Sequence, residues 1–447
     1  MIETSRAREI ARAAIAAAQA AGAEQSEALV MASDDALTRF ANNRVHQNVR
    51  SEDAGLSVRA VIGTRIGVAS TNRTGAGDVR SCCERAVEAA RHAPEDASFP
   101  GLPGPHPVTA ADRVAPATVA FDADARAAAA GAIVDASSSR GLSAAGSVAV
   151  SHAVVAIGNS LGVDVAMPVT SARATVLSMG ADSGSGWASF AAMDAATLDA
   201  AALGEEAADL AVRSARPVTL DAGDYTVVLA PEAVAEMIEF VGWYGCSAKS
   251  VEEGRSFMTG HVGQRLVSPL ITLVDDALEP TCLGLTFDFE GQPKSRVLLL
   301  ERGVAVGPVT DSYWAARTGR PNTGHALPAP NAQGPLPIDL VLEAGDSSAA
   351  EMIASVKRGV YVTRFHYVNI EDPIRAVLTG MTRDGTFLIE NGELTRPVKN
   401  LRFTQSAIET LDTTLAVSAE RRRVGSDGRT LVPYLLLERF AITGQTE

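Results

Sequence analysis

The chain has 447 residues, of which 46% are hydrophobic and 21% charged, a composition ordinary for a globular protein with two or three domains and a substantial core. Its 39 lysines and arginines against 53 aspartates and glutamates give a formal net charge of −14, so nucleic acid and anionic membranes are not expected partners. It contains no run of about 18 apolar residues and no signal-peptide pattern, and we therefore predict a cytoplasmic protein.

Residues 1–95 predict a small α+β domain. An alanine-rich amphipathic helix over residues 5–21 ends at Gly22, and a second helix is predicted over residues 77–93. Between the two helices lie short segments separated by turn residues, a pattern typical of strands. These predicted strands cover residues 27–32, 36–40, 44–49, 55–62 and 65–70. A helix–strands–helix order of this kind is typical of an α+β domain.

A proline-rich linker, residues 96–118, separates this domain from a second one over residues 119–216. Six prolines between positions 94 and 116 favour an extended crossing segment. The second domain again has the order helix, strands, helix. Its predicted helices cover residues 122–139 and 194–214, its strands cover residues 142–157, 164–169 and 172–179, and a glycine- and serine-rich turn covers residues 180–187.

From residue 217 to residue 447 the pattern changes to strands, turns with glycine and proline, and few helices. The predicted strands cover residues 270–274, 295–301, 338–343, 359–368, 375–381, 385–390 and 412–417, and the predicted helices cover residues 347–356 and 405–409. The fold class predicted for the chain is therefore α+β, with N-terminal α+β regions followed by a large β-rich, barrel- or sandwich-like C-terminal domain.

The third region begins with a strand that leads directly into a helix. Residues 226–230 form a short apolar run typical of a buried strand, and Pro231 suits the first position of a helix because its missing N–H would be unpaired there. Apolar residues then recur at helical spacing, at Ala233, Val234, Met237, Ile238 and Val241. This stripe predicts that the glutamates at 232, 236 and 239 lie largely on the opposite, exposed side.

A helix of this kind is also where metalloproteases carry zinc ligands. Two histidines on one helical face bind the metal, and a glutamate beside them acts as general base. Here the two ligand positions, five residues apart, hold Pro231 and Glu236, and of the motif only Glu232 remains. The seven histidines are never closer than fourteen residues in sequence. A site assembled from Glu232, Glu236 and a distant histidine such as His261 stays open as an alternative to a chain that binds no metal.

Two other parts of the sequence contain candidate functional residues. Alternation along residues 361–369 predicts that Arg364 and His366 share one strand face with Val362, with Asn369 at the strand end. That face would line a peptide cleft, or it belongs to a half-exposed strand with a hydrogen-bonded histidine. The four cysteines, at 82, 83, 246 and 282, show no C-x-x-C spacing and are predicted to be reduced, and Cys246 is predicted to be a buried structural thiol rather than a nucleophile.

Three stretches together resemble the TldD/PmbA family of metallopeptidases, some of whose members carry the name modulator of DNA gyrase. They are ALTRFANNRVHQNV at residues 36–49, PEAVAE at residues 231–236, and the run over residues 358–404 that contains IENGE and PVKNLR. The last of these is the most specific. The resemblance covers essentially the whole chain and includes its three-region layout.

The family has two branches, and the residues of this chain resemble the one called PmbA or TldE. The TldD-like branch carries an H-E-x-x-x-H motif and a later cysteine associated with the metal, whereas the TldE-like branch lacks both. On this chain the motif positions hold Pro231, Glu232 and Glu236, and no cysteine follows Cys282. The resemblance implies a heterodimer that cleaves peptides or unfolded segments, in which zinc lies on the TldD-like partner and this chain carries neither metal nor catalytic residues.

Two alternatives remain beside this hypothesis. A metal-free homodimeric protein that binds peptides as a scaffold would also need a cleft without zinc. An amide hydrolase with relocated metal ligands would carry metal on this chain alone. Metal content distinguishes the hydrolase from the other two, and co-purification with an H-E-x-x-x-H homologue distinguishes the heterodimer from the homodimer.

Overall fold

The first two regions of the chain share one six-stranded antiparallel sheet in the computed structural model, which describes residues 2–425 and 427–445. Its strands are β1 Gln25–Ala41, β2 Arg44–Ile62, β3 Arg65–Thr71, β4 Ser143–Asn159, β5 Asp164–Met179 and β6 Ser185–Ala192, in the order β3-β2-β1-β4-β5-β6. The two regions join where β1 pairs with β4, from Glu27 opposite Asn159 to Phe40 opposite Gly146.

Several predicted strands are pieces of longer ones. The segments 27–32 and 36–40 are both β1, because Asp34 and Asp35 interrupt the apolar alternation but not the backbone pairing. Asp34 stays paired at an exposed place, where its Oδ1 accepts a 2.8 Å hydrogen bond from Nε of Arg50 on β2. The turn predicted over residues 180–187 was wrong in its second half, where β6 begins. Sequence periodicity thus located the strands but underestimated their length.

Helices cover one face of this sheet in two groups. They are α1 Thr4–Ala20, α2 Ala76–His92, α3 Pro116–Val119, α4 Ala123–Ser138 and α5 Ala200–Arg213. Small side chains of α1 and α2 form one core with β1 and β2, and α4 and α5 form another with β4, β5 and β6. The helix predicted over 194–214 begins later, because Asp199 caps α5 by accepting a hydrogen bond from N–H of Ala202.

The proline-rich linker is fastened to the C-terminal region rather than free. Arg113 is 4% exposed, and its guanidinium donates hydrogen bonds to the backbone carbonyls of Ala277, Glu279 and Pro280 at 2.8–3.1 Å. Because a buried guanidinium is costly unless its donors are satisfied, this arginine holds the crossing segment in place.

The C-terminal region contains an eleven-stranded sheet in the described part of the chain. Its strands are β7 Gly223–Leu229, β8 Leu273–Asp275, β9 Val297–Glu301, β10 Val304–Ala305, β11 Leu340–Leu342, β12 Arg358–Asp372, β13 Val377–Glu390, β14 Glu393–Pro397, β15 Leu401–Ser406, β16 Thr414–Val424 and β17 Thr430–Gln445. Its helices are α6 Pro231–Gly245, α7 Ala248–Glu252, α8 Ser312–Thr318, α9 Ala349–Ser355 and α10 Ala407–Asp412.

Five of these strands pair in a ring, in the order β7, β12, β13, β15, β17 and back to β7. The predicted fold class, α+β with a large β-rich C-terminal part, is confirmed. The sequence analysis did not predict strands β10, β14, β15 and β17. Inside the region, Phe403 packs against Phe365 and Phe440 with ring centroids 4.6 and 5.3 Å apart. None of the helices in the described residues is long and apolar enough to span a membrane.

A close approach of helix α2 to strand β3 gives a test of this packing. A Cβ added at Gly67 would lie 2.2 Å from both the carbonyl oxygen of Ala86 and the backbone nitrogen of Ala90. We expect Gly67→Ala to lower the free energy of unfolding by about 3 kcal/mol, because backbone atoms cannot move aside as a flexible side chain can. Gly55→Ala in β2 is the matched control, because its Cβ would meet nothing within 4 Å. Urea denaturation measures both, and equal stabilities would contradict this packing.

Candidate functional site

The strand and helix predicted at the start of the C-terminal region are both present, and they place Pro231 in the interior of the protein. Strand β7 lies between β12 and β17, and the chain leaves it at Ala230 in an extended conformation. Pro231 is buried at the first position of α6, and Glu232 follows in the first turn. The degenerate motif therefore sits on a rigid, enclosed element.

The exposed side predicted for the glutamates of α6 was wrong. Glu239 is only 5% exposed, and Glu232 and Glu236 are half-buried. Their spacing of four and three residues puts all three on one side of the helix, as expected. That side faces protein because α6 packs against β12, β16 and β17. The apolar stripe in the sequence predicted one buried face of α6, but it gave no sign that the face with the glutamates is also covered by protein.

Glu232 is engaged by groups from two regions of the chain. Its Oε1 accepts a short hydrogen bond from the hydroxyl of Ser189 on β6. Burial raises the pKa of Glu232, and the Ser189 hydrogen bond and the positive charges of Arg422 and Arg364 offset part of that rise. The protein thus compensates the charge of this carboxylate only in part.

Arg364, a predicted substrate-binding residue, bridges the same two regions. Its Nε donates to Oδ2 of Asp384 on β13 at 2.9 Å. Its guanidinium carbon lies 4.6 Å from the ring centroid of Trp187 on β6, a cation–π arrangement. The planar guanidinium is thus fixed on one side by a ring and at one edge by a carboxylate.

The predicted strand face of Arg364 was wrong, because the alternation breaks beside a β-bulge. Val362 pairs with Thr386 and Arg364 pairs with Arg383, so Thr363 on β12 faces two residues of β13 and the extra residue lies on β13. Val362 and Phe365, three residues apart, both enter the core, whereas Arg364 does not. The strict alternation that the sequence pattern assumes is therefore interrupted between Val362 and Phe365.

The other predicted site residues lie elsewhere. Burial, together with the charges of Arg383 and Arg364, lowers the pKa of His366, whose ring stands edge-on to Tyr367 at 4.9 Å. Asn369 is exposed, and its Nδ2 donates to the carbonyl of Tyr367 at 3.3 Å. Neither side chain lines the cavity that holds Arg364. Their role in substrate binding stays a prediction.

A cavity of about 250 Å³ lies at the junction of the central and C-terminal regions, bordered by α5, β6, β12, β16, β17 and the first turn of α6. Arg422 on β16 spans it, with Nη1 2.8 Å from Oε1 of Glu206 and Nη2 3.3 Å from the carbonyl of Ser189. Tyr434 and Trp187 complete its walls.

Arg422 is a site residue that the sequence motifs do not indicate, because it stands within three adjacent arginines, Arg421–Arg423, outside every motif described above. In the structure the run lies in β16, and each arginine pairs with a different carboxylate: Glu343 at 3.6 Å, Glu206 at 2.8 Å and Glu279 at 2.6 Å. Three adjacent arginines in a β-branched, strand-like context were the signal available in the sequence.

The residues around the motif do not fit a zinc ion. Pro231 offers no ligand atom, and Oε1 of Glu232 already accepts a hydrogen bond from Ser189. The positive charges of Arg422 and Arg364, which act on this carboxylate, would also oppose a dication. His261 is hydrogen-bonded through Nδ1 to the carbonyl of Phe257 at 3.0 Å. Within residues 2–425 and 427–445, no three His, Cys, Asp or Glu side chains are grouped so that they could hold a metal. The alternative site of Glu232, Glu236 and His261 is therefore not assembled.

The cysteines are free and buried, as predicted. Burial raises the pKa of Cys246 far above its usual value, and its Sγ points at the carbonyl of Val241, 3.7 Å away. A buried thiol with a raised pKa is a poor nucleophile, which agrees with the structural role predicted for Cys246.

The amino-acid sequence matches three domain profiles of one family. Residues 27–90 match the profile described as PmbA/TldA metallopeptidase domain 1, residues 105–215 match the central domain, and residues 222–444 match the C-terminal domain. The three profiles describe consecutive parts of the same protein family and together span most of the chain.

Curated relatives are similar over part of the chain. A Haemophilus influenzae protein named metalloprotease TldD homolog is 32% identical over 198 residues, which are 44% of this chain and 39% of that protein. A Saccharolobus solfataricus protein named zinc metalloprotease TldD homolog is 25% identical over 210 residues, 45% of either chain. The chain thus spans less than half the length of these two relatives.

The crystal structure of TldE from Thermococcus kodakarensis has the same fold as this chain. The two superpose with a TM-score of 0.90 at 21% identity, covering 97% of this chain and 100% of that one.

The burial of Glu236 makes stability depend on pH. Burial raises the pKa of Glu236 to about 7, against the opposing charge of Arg364. Between the ordinary carboxyl pKa and about 7 the folded chain binds more protons than the unfolded chain, so this group makes stability fall as pH rises through that window. We expect Glu236→Gln to flatten this part of the thermal stability profile between pH 4.5 and 7. The exposed Glu371→Gln is the control, and identical slopes in all three proteins would contradict the raised pKa.

Proposed function

We propose, since this chain belongs to the PmbA/TldD metallopeptidase family, that it is the non-catalytic, substrate-shaping subunit of a two-chain zinc metallopeptidase of the TldD/TldE type. One observation carries the proposal: the motif glutamate, Glu232, is hydrogen-bonded to Ser189 of its own chain, and the positive charges of Arg364 and Arg422 act on it. A general base in a metallopeptidase must face a metal-bound water. Here the carboxylate accepts a hydrogen bond from a serine of its own chain, and proline stands in the adjoining ligand position.

The cavity beside Glu232 forms part of the substrate cleft in this proposal. Strand β6 is the last strand of its sheet, and the carbonyl of Ser189 is turned toward Arg422 across the cavity. An extended peptide at this edge forms hydrogen bonds with backbone groups of β6. Because such bonds do not depend on the side chains of the peptide, the selectivity for its sequence is broad. Arg364, held over Trp187, contacts the peptide from the β12 side.

The metal chemistry belongs to the partner in this proposal. The relatives named TldD homolog carry metalloprotease in their names, and one of them zinc metalloprotease. A TldD-like chain with the H-E-x-x-x-H motif would hold the zinc and the general base, and this chain would complete the walls of a shared cleft in the cytoplasm. The substrates would be peptides or unfolded protein segments.

Zinc content tests whether the metal site lies on the partner and not on this chain. Elemental analysis of the purified chain alone should give no stoichiometric zinc, because Pro231 supplies no donor and Glu232 is already hydrogen-bonded to Ser189. After co-expression with an H-E-x-x-x-H homologue from the same source, we expect about one zinc per heterodimer, together with peptidase activity. Glu232→Gln in this chain should leave the zinc content unchanged, whereas the same substitution in the partner's motif should abolish activity.

Other outcomes separate the alternatives. About one zinc in the chain alone, lost in Glu236→Gln or His261→Ala, would establish a relocated hydrolase site and overturn the proposal. A stable homodimer that binds peptides and does not associate with the homologue would establish the scaffold alternative instead.

The proposed peptide contact of Arg364 can be tested in the co-expressed complex. Arg364→Gln should raise KM for a peptide substrate about tenfold with little change in kcat, because a charge-assisted contact to the substrate is lost while the partner's chemistry is untouched. Arg358→Gln, an exposed arginine at the start of the same strand, is the matched control and should behave like the unchanged protein. A fall in kcat at constant KM would contradict a binding role.

A further inference from the structure

A second and larger cavity, of about 750 Å³, lies between the N-terminal sheet and the C-terminal region. Its walls come from β2, β3 and residues 96–101 on one side, and from α7, α8 and residues 326–334 on the other. It borders α7, which follows the C-terminal end of α6. Because α6 spans about 22 Å, this cavity is distinct from the one at Glu232. Its volume lies in the range of small-molecule sites.

The cavity carries more negative than positive charge. Its wall contains five carboxylates, Asp96, Glu252, Glu253, Glu290 and Asp311, and three bases, Arg59, Lys249 and Arg317. All three bases are already engaged. Arg59 lies 2.7 Å from Glu27 and 3.2 Å from Glu290, Lys249 donates to the carbonyl of Ala332, and the Arg317 guanidinium covers the Trp314 ring. The positive charges in the wall are therefore used within the protein.

Asp311 is a buried carboxylate of this cavity wall that takes part in no ion pair among the described residues. It is 7% exposed, and its Oδ1 accepts a 2.8 Å hydrogen bond from N–H of Trp314 as the cap of α8. No lysine, arginine or histidine nitrogen in the described part of the chain lies within 4 Å of it. Burial, reinforced by the nearby charge of Glu290, raises the pKa of Asp311 to about 6. At neutral pH it is thus largely ionised, and the charge of Arg59, which is more than 4 Å away, compensates it only in part.

The rest of the wall suits an apolar stem and a cationic head. Trp314 and Tyr313 meet edge to face, with ring centroids 5.6 Å apart, and Phe99, Leu327 and Pro330 add apolar surface. The Arg317 guanidinium carbon lies 5.3 Å from the centroid of the Trp314 ring. One face of the Trp314 ring is therefore already covered by a cation of the chain itself, which leaves the carboxylates as the groups that would attract a ligand cation.

We infer that this cavity binds an organic cation on an apolar stem, the side chain of a lysine or arginine in a polypeptide, with Asp311 as its counter-ion. The preference for a cation follows from the cavity alone. Its assignment to a polypeptide rests on the proposed function. The cavity then anchors a basic residue of the peptide at a distance from the cleft beside Glu232.

Two probes that differ in charge test the inference on the full chain without its partner. Acetyl-arginine amide carries the cation, and acetyl-citrulline amide is its neutral near-isostere. Isothermal titration calorimetry at pH 7.5 should give a dissociation constant for the arginine probe at least about tenfold lower than for the citrulline probe, the difference expected for one charge-assisted contact. The preference should shrink below about pH 6, as Asp311 takes up a proton, and at high salt.

Asp311→Asn is the decisive variant because asparagine keeps the helix cap and removes only the charge. It should weaken the arginine probe about tenfold and leave the citrulline probe unchanged. Glu301→Gln, which removes an exposed charge outside the cavity, should change neither. If Asp311→Asn does not fold, Glu252→Gln, at an exposed position in the wall, takes its place and should weaken the arginine probe by a smaller factor.

Equal affinity for the two probes, or an arginine affinity unaffected by the wall variants, would overturn the inference. The result is independent of the zinc measurement. Arginine binding by a chain whose co-expressed complex lacks zinc and peptidase activity would leave the cation site standing and overturn the proposed function. An active zinc complex whose subunit does not distinguish the probes would do the reverse.

Discussion

A row of carboxylates inside the protein, along helix α6, is the constraint on which the site depends. The helix is apolar around most of its circumference, so it cannot turn Glu232, Glu236 and Glu239 toward water without exposing side chains such as Ile238. A buried carboxylate costs several kcal/mol unless it is paired. Groups from distant segments donate hydrogen bonds to these carboxylates. Ser189 of the central region donates to Glu232, and Thr430 Oγ1 donates to Glu239 at 2.8 Å. The hydrogen bonds of the α6 carboxylates therefore connect the regions around this helix.

The same principle holds the loops of the C-terminal region together. Burial acts to raise the pKa of Asp339, but the charges of Arg429 and Lys294 outweigh it and hold that pKa well below its usual value. Lys294 Nζ lies 2.7 Å from Oδ2 and Arg429 Nε lies 2.8 Å from Oδ1 of this aspartate. Next to it, Asp275 accepts hydrogen bonds from His325 at 2.8 Å and from two backbone N–H groups. Removing one member of such a buried network costs about 3–5 kcal/mol, because the remaining charge is left without a partner.

The elements were largely predictable because their signals are local. The hairpin turns, the helix caps and the proline at the start of α6 each depend on a few neighbouring residues, and the predicted helices and strands lie where the sequence placed most of them. Strand lengths were less predictable, because polar residues such as Asp34 break the periodicity while cross-strand pairing continues. The site was only partly predictable. The alternation breaks at Arg364 beside a β-bulge in the neighbouring strand β13, and the groups that act on Glu232 lie 43 to 190 residues away in sequence.

The sequence by itself determined that the motif positions lack the two histidine ligands, because proline and glutamate stand there in any fold. It also determined the family, through motifs that are read without coordinates. Only the tertiary structure decided that Glu232 is hydrogen-bonded to Ser189, that Arg421–Arg423 is a set of ion pairs, and that a cavity with a buried Asp311 outside any ion pair of the described residues exists. The physical reason is that burial and charge compensation are properties of the surroundings, and those surroundings are assembled from segments whose sequence separation hides their proximity.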